Sequence, residues 1–150
     1  MNIESKINES IKDSMKSKDT IRLESLRAIK SAILLEKTKT GSKDQIDEEI
    51  ILKILQKMVK QRNDSAKIYI EQEREELAGI EISQAKIISE FLPEQLSESE
   101  LSEIIDSVIK DLKAESMKDM GKVMSNVNIK VSGKAEGRVI AEMIKNKLMN

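Results

Sequence analysis

Acyl transfer and hydrolysis need a nucleophile with a base beside it, and this chain contains neither cysteine nor histidine. There is no thiolate to attack and no imidazole to take a proton near neutral pH. Serines and lysines remain, but no Ser-x-x-Lys or Gly-x-Ser-x-Gly elbow occurs in a strand-to-helix setting. The adjacent carboxylates Glu48/Glu49 and Glu75/Glu76 point in different directions around a helix, so they complement helix dipoles better than they do acid–base work. A zinc site would rest on carboxylates alone, so no metal and no cofactor is expected.

The segment Lys118 to Arg138 carries the remaining candidates. Gly133-Lys134 invites comparison with a phosphate loop, and the comparison fails. The first glycine of Gly-x-x-x-x-Gly-Lys would fall at Asn128, and Ala135 stands where a hydroxyl must meet Mg²⁺. A simpler chemistry survives. Ser132 and Gly133 would leave backbone N–H groups free at the start of a final helix, a place that attracts anions. Lys130, Lys134 and Arg138 would gather there, with Lys134 and Arg138 four apart on that helix. Lys118 and Lys122 are four apart on the short helix before it. This is the pattern of a clamp on a nucleic-acid backbone. No aromatic residue lies nearby to stack bases, so reading of single-stranded sequence is not expected.

Charge is distributed unevenly. Residues 1–92 carry 17 basic and 17 acidic groups, residues 93–116 carry 2 and 7, and residues 117–150 carry 7 and 3. An acidic block followed by a basic one can mark partner surfaces.

The elements that position these residues read as helices throughout. Of 150 residues 39% are hydrophobic, yet the only aromatics are Tyr69 and Phe91. A core of Ile, Leu, Val, Met and Ala suits helix-on-helix packing, so an all-α fold is expected. Ile3, Ile7, Ile11 and Met15 predict a first helix. Leu23, Leu26, Ile29 and Ile33 predict a second, capped by Asp19 or Thr20 and ending before Gly41 in a polar loop of Lys39 to Asp44. Ile51, Ile54, Leu55, Met58 and Ile68 predict a long third, and the acidic Glu71 to Glu76 a turn after it. Leu77, Ile80, Ile87, Ile88 and Phe91 predict the inward face of a fourth.

Pro93 disfavours helical geometry at Leu92 and marks a boundary. Beyond it, Ser97 with Glu100 and Ser116 with Asp119 form two capping-box patterns. The first opens a helix on Leu101, Ile104, Ile105, Val108 and Leu112. The second opens one on Met117, Met120, Val123, Met124 and Val127. A last helix is expected from about Ala135 to Leu148. The chain therefore reads as a helical hairpin array of about four helices over residues 1–92, and a small three-helix domain over residues 93–150. No apolar run is long enough to span a membrane, and Met1 to Ser10 lacks the apolar stretch of a signal peptide. A cytoplasmic location is expected.

Several local motifs together resemble the GatB/YqeY family. Met15-Lys16-Ser17-Lys18-Asp19 through Leu26-Arg27 and Ser31-Ala32-Ile33 is similar to its first hairpin. Val59-Lys60-Gln61-Arg62-Asn63-Asp64-Ser65-Ala66 is similar to its third-helix signature. Phe91-Leu92-Pro93-Glu94-Gln95-Leu96-Ser97 resembles its inter-domain link. Asp119-Met120-Gly121-Lys122-Val123-Met124 and Gly133-Lys134-Ala135-Glu136-Gly137 resemble its two C-terminal motifs.

Members resemble the C-terminal tail of the B subunit of glutamyl/aspartyl-tRNA amidotransferase, a carbon–nitrogen ligase that takes its nitrogen from glutamine. The resemblance implies a helical fold and a connection to amidation of misacylated tRNA. It places the ligase chemistry in a large region with no counterpart in these residues, and tRNA contact in the tail. A non-catalytic accessory protein that binds tRNA or other structured RNA is the expectation. A protein-interaction module that docks on an amidotransferase, a synthetase or another partner without contacting RNA is the alternative. The motifs fall on Lys122 and Lys134 as contacts and on Gly121, Gly133 and Gly137, which would shape the backbone. Lys12, Lys16, Arg22, Lys60 and Arg62 could extend the basic surface.

Purified chain supplied with misacylated tRNA, glutamine and ATP is expected to give no amide transfer. Steady turnover by the chain alone, followed as conversion of the aminoacyl group, would overturn the non-catalytic reading.

Overall fold

The computed structural model describes residues 2–41 and 46–149. They form seven α-helices and no strand among the described residues: α1 (Ile3–Ser17), α2 (Thr20–Thr40), α3 (Glu48–Glu71), α4 (Glu75–Ser89), α5 (Glu98–Leu112), α6 (Met120–Val131) and α7 (Gly137–Met149). One 3-10 turn, Met117–Asp119, leads into α6. The chain divides into two compact units, Met1–Leu92 and Pro93–Asn150. Of the polar loop expected from Lys39 to Asp44, Lys39 and Thr40 are still in α2 and Gly41 caps it. Residues 42–44 lie outside the described residues.

Local chemistry sets the helix ends. Asn2 and Asp19 cap α1 and α2 by accepting the N–H of Ser5 (2.8 Å) and Arg22 (3.1 Å). At α5 the Ser97 Oγ accepts from the Glu100 N–H and the Glu100 carboxylate accepts from the Ser97 N–H, both at 3.2 Å. Each side chain thereby satisfies one backbone donor that the helix start leaves open. The acidic turn between α3 and α4 is tight: Glu73 takes a left-handed backbone, φ 60°. Before Pro93 the chain leaves α4 through one more turn, with the N–H groups of Phe91 and Leu92 donating to the carbonyls of Ile88 and Ser89.

In the first unit Ile7 of α1, Leu26, Ile29 and Ile33 of α2, Ile51, Leu55 and Met58 of α3 and Ile88 of α4 make one core. In the second, Leu101, Ile105 and Val108 of α5 meet Val123, Val127 and Val131 of α6 and Ile140, Ile144 and Leu148 of α7. Steps of three and four keep these branched side chains on one stripe of each helix, and each is all but removed from water.

Several apolar residues expected inside are outside. Met15 is 56% exposed, and the buried position is Ser14. Steps of four overshoot the helical period by roughly 40° each. A stripe begun at Ile3 therefore drifts off the core by Met15. Leu77, Ile80 and Ile68 are also exposed, while Ala66, Ala78 and Ala85 are buried. Small side chains let α3 and α4 pack closely, and the large ones are turned outward. Leu112 and Met117 are likewise partly exposed, at 39% and 42%.

Ser14 shows what close packing costs. It is 1% exposed, and its Oγ has no hydrogen-bond partner. An unsatisfied buried hydroxyl is unfavourable, and Ala is the better helix former. In urea denaturation Ser14→Ala should raise stability by about 1 kcal/mol. Ser97→Ala, which removes the α5 cap, should lower it by about 1 kcal/mol. A loss of stability in Ser14→Ala together with no loss in Ser97→Ala would contradict both assignments.

Candidate nucleic-acid interface

The basic segment begins at a polar turn. The Asp119 carboxylate accepts the N–H groups of Glu115 (3.0 Å) and Ser116 (3.4 Å), and the Ser116 Oγ accepts from the Lys118 N–H. These bonds set the 3-10 turn that carries Lys118, and Lys122 follows in the first turn of α6. Hydrogen bonds from the Glu115 and Ser116 amides, then the charges of Lys122 and Lys118, hold the Asp119 carboxyl below the ordinary carboxylate value. Asp119 therefore stays ionised and offsets part of the field of the two lysines beside it.

Lys130 lies in the last turn of α6. There the structure corrects the sequence reading. Ser132 and Gly133 do not open the final helix; they close α6. The Ser132 N–H donates to the Asn128 carbonyl (3.0 Å), so it is not free for an anion. Gly133 follows with φ 78°, the left-handed region where a side chain is strained. The Lys134 N–H turns back to the Val131 carbonyl (2.8 Å). Only at Gly137 does α7 begin, two residues later than expected. Lys134 thus sits in the turn and Arg138 in the first turn of α7, and the two are not stacked on one helix. The reason is the left-handed residue at Gly133, which delays helical geometry.

The five cations nevertheless share one character. Lys118, Lys122, Lys130, Lys134 and Arg138 are all exposed. None of them takes part in an ion pair among the described residues. Lys122 and Arg138 occupy first turns, where the helix dipole disfavours a cation.

The possible N-terminal extension of this surface is different. The Arg22 Nη1 donates to Glu90 at 2.6 Å and the Lys60 Nζ to Asp64 at 2.8 Å. The Arg62 Nε donates to Gln84 (3.1 Å), and its Nη1 to the Met58 carbonyl (3.3 Å). Arg22 thus reaches from α2 to the end of α4 and Arg62 from α3 to α4, while Lys60 is engaged within α3. Lys12 and Lys16 remain exposed on α1.

The three glycines also separate. Only Gly133 has a backbone that favours glycine. At Gly121 and Gly137 a Cβ would meet nothing within 4 Å and φ is not positive, so backbone shaping is not their role within this chain. One feature had no motif to announce it: a polar cavity of about 410 Å³ at the starts of α1 and α3, lined among others by Asn2, Glu4, Asp47 and Glu48. Its carboxylates make it unsuited to phosphate. No group of three or more acidic side chains positioned to hold a metal occurs among the described residues.

Two compact helical units, the second with exposed cations at both ends of α6, in the turn after it and in the first turn of α7, define a class of small two-unit helical proteins. The family described as Yqey-like protein matches residues 4–148, and the chain belongs to it. Among curated relatives, the Clavispora lusitaniae protein named Altered inheritance of mitochondria protein 41, mitochondrial, is 30% identical over 122 residues, 79% of this chain and 69% of that one. The Vanderwaltozyma polyspora protein of the same name is 29% identical over 144 residues, 93% of this chain and 76% of that one. The Kluyveromyces lactis counterpart is 27% identical over 110 residues, 71% of this chain and 58% of that one.

The glycines give a direct check. Gly133→Ala should cost about 1 kcal/mol, because an L-residue is strained at that φ. Gly121→Ala, in the first turn of α6, should be neutral or stabilise by up to about 1 kcal/mol. Thermal melts of the two variants read the difference, and a harmless Gly133→Ala would remove the strained turn from the account.

Proposed function

We propose that this protein is a non-catalytic accessory that binds tRNA or another structured RNA through the phosphate backbone, using Lys118, Lys122, Lys130, Lys134 and Arg138. One observation carries this reading. Among the described residues Lys118, Lys122, Lys130, Lys134 and Arg138 are exposed and outside any ion pair, at the two ends of α6, in the turn after it and in the first turn of α7, and two of them stand where the dipole disfavours positive charge. Charge held against local preference is a mark of a functional surface. Exposed ammonium and guanidinium groups suit phosphate, and the absence of aromatics from the segment argues for shape rather than base recognition. The resemblance to an amidotransferase tail supplies tRNA as the first candidate and an amidotransferase or a synthetase as the setting. The relatives are named as mitochondrial proteins, and a role with structured RNA is compatible with that compartment or with the cytoplasm. No helix of the described residues is long and apolar enough to cross a membrane.

A second reading rests on a different face. Along α3 and α4 the side chains of Ile68, Ile70, Leu77, Ile80 and Ile82 are exposed while the helices' shared seam holds alanines. Aliphatic groups in solvent suit a protein partner. Recovery of a protein in a complex that ribonuclease leaves intact would favour this reading.

Titration of the purified protein against total tRNA at two salt concentrations tests the first reading. Affinity should fall steeply with salt, with a slope of about −0.9 or −0.7 per phosphate neutralised. The triple variant Lys122→Glu, Lys134→Glu, Arg138→Glu should bind at least about tenfold more weakly and with a shallower slope. Wild-type affinity in the triple variant would rule the basic segment out as the site.

A further inference from the structure

The turn that carries Lys134 is held from outside by a short stretch of chain that opens the second unit. The Gln95 side-chain amide donates to two carbonyls, those of Pro93 and Gly133, each at 2.9 Å. The next residue, Leu96, donates its backbone N–H to the Lys134 carbonyl at 2.8 Å. Leu96 is itself packed against the core of α5, α6 and α7, which seats the stretch on the domain.

These bonds do something specific to Lys134. A trans peptide is planar, with its carbonyl and N–H pointing in opposite directions. The Gly133–Lys134 peptide is gripped at both ends: its carbonyl by Gln95, its N–H by the Val131 carbonyl. The Lys134–Ala135 peptide is gripped at its carbonyl by Leu96. Both planes that flank the Lys134 Cα are therefore held, and two held planes set φ and ψ between them. The direction in which the Lys134 side chain leaves the backbone is fixed before any ligand arrives. Gly133 alone would not achieve this, because a glycine at positive φ has freedom on both sides.

We infer that Gln95 is a positioning residue of the basic surface: its amide locks the Gly133–Lys134 peptide and presents Lys134, in fixed register with Lys130 and Arg138, to the phosphates of an RNA ligand. The inference rests on the RNA-binding reading above and deepens it. Ordering a turn in advance removes an entropy cost that binding would otherwise carry. Gln95 does this without contributing charge of its own.

The test is Gln95→Met, which keeps length and neutrality and removes both donors. Three quantities are read on the full chain: the urea midpoint, amide exchange of Leu96, and affinity for total tRNA across a salt series. The expected result is an unchanged urea midpoint, faster Leu96 exchange, affinity lower by about three- to tenfold, and a salt slope shallower by about one phosphate contact. The change of slope separates positioning from a merely structural role, because no cation is removed. Unchanged affinity and slope in Gln95→Met, beside a wild type that binds, would overturn the positioning role and leave the RNA reading standing. A urea midpoint that falls in step with affinity would also overturn it, as general destabilisation. A wild type that shows no salt-dependent binding would instead overturn the RNA reading itself, and the role of Gln95 with it, even if Leu96 exchange still reports the clasp.

Discussion

The cores of both units rest on one kind of contact, the close meeting of aliphatic stripes. With Tyr69 and Phe91 as the only aromatics, no large flat side chain is available to fill a thick core. The helices must instead come close, and the stripes must be narrow. Val123, Val127 and Val131 on α6 show the arrangement in its simplest form, three small branched residues at steps of four, each almost fully buried. Ala66, Ala78 and Ala85 carry it further between α3 and α4. Narrow stripes leave most of each helix surface outside, which is why so much of a chain that is 35% charged can remain solvated on a well-packed scaffold.

The same constraint decides where function can sit. A thin core leaves helix surface and helix ends for function, and residues 117–150 carry 7 basic groups against 3 acidic ones. The turn between α6 and α7 is the point where these features meet. It is made left-handed by Gly133, closed internally by the Val131 carbonyl, and clasped from outside by Gln95 and Leu96. A surface built this way can be rigid although Lys130, Lys134 and Arg138 are exposed.

The N-terminal unit uses similar residues differently. Arg22, Lys60 and Arg62 look no less basic in sequence than Lys118 or Lys134. In the fold each has a neighbour within reach, Glu90, Asp64 and Gln84 respectively. Two of those partners, Glu90 and Gln84, stand 68 and 22 residues away along the chain. Contacts of that separation carry no local signature. Exposed ion pairs contribute little to stability, but a cation already engaged is a poorer contact for phosphate.

Much of the architecture was legible without coordinates, for local reasons. Helix content follows from aliphatic periodicity, and helix starts from Asp19, Ser97 and Ser116, whose side chains reach only a few residues along the chain. The exposed character of the five C-terminal cations follows from charge density. Tertiary structure alone decided the rest. It sent Met15, Ile68, Leu77 and Ile80 outward, because which stripe is buried depends on where a neighbouring helix approaches. It separated Gly133 from Gly121 and Gly137, because a glycine's φ depends on the turn it serves. It also brought Gln95 onto the Gly133 carbonyl across 38 residues of chain, a contact that no spacing rule contains.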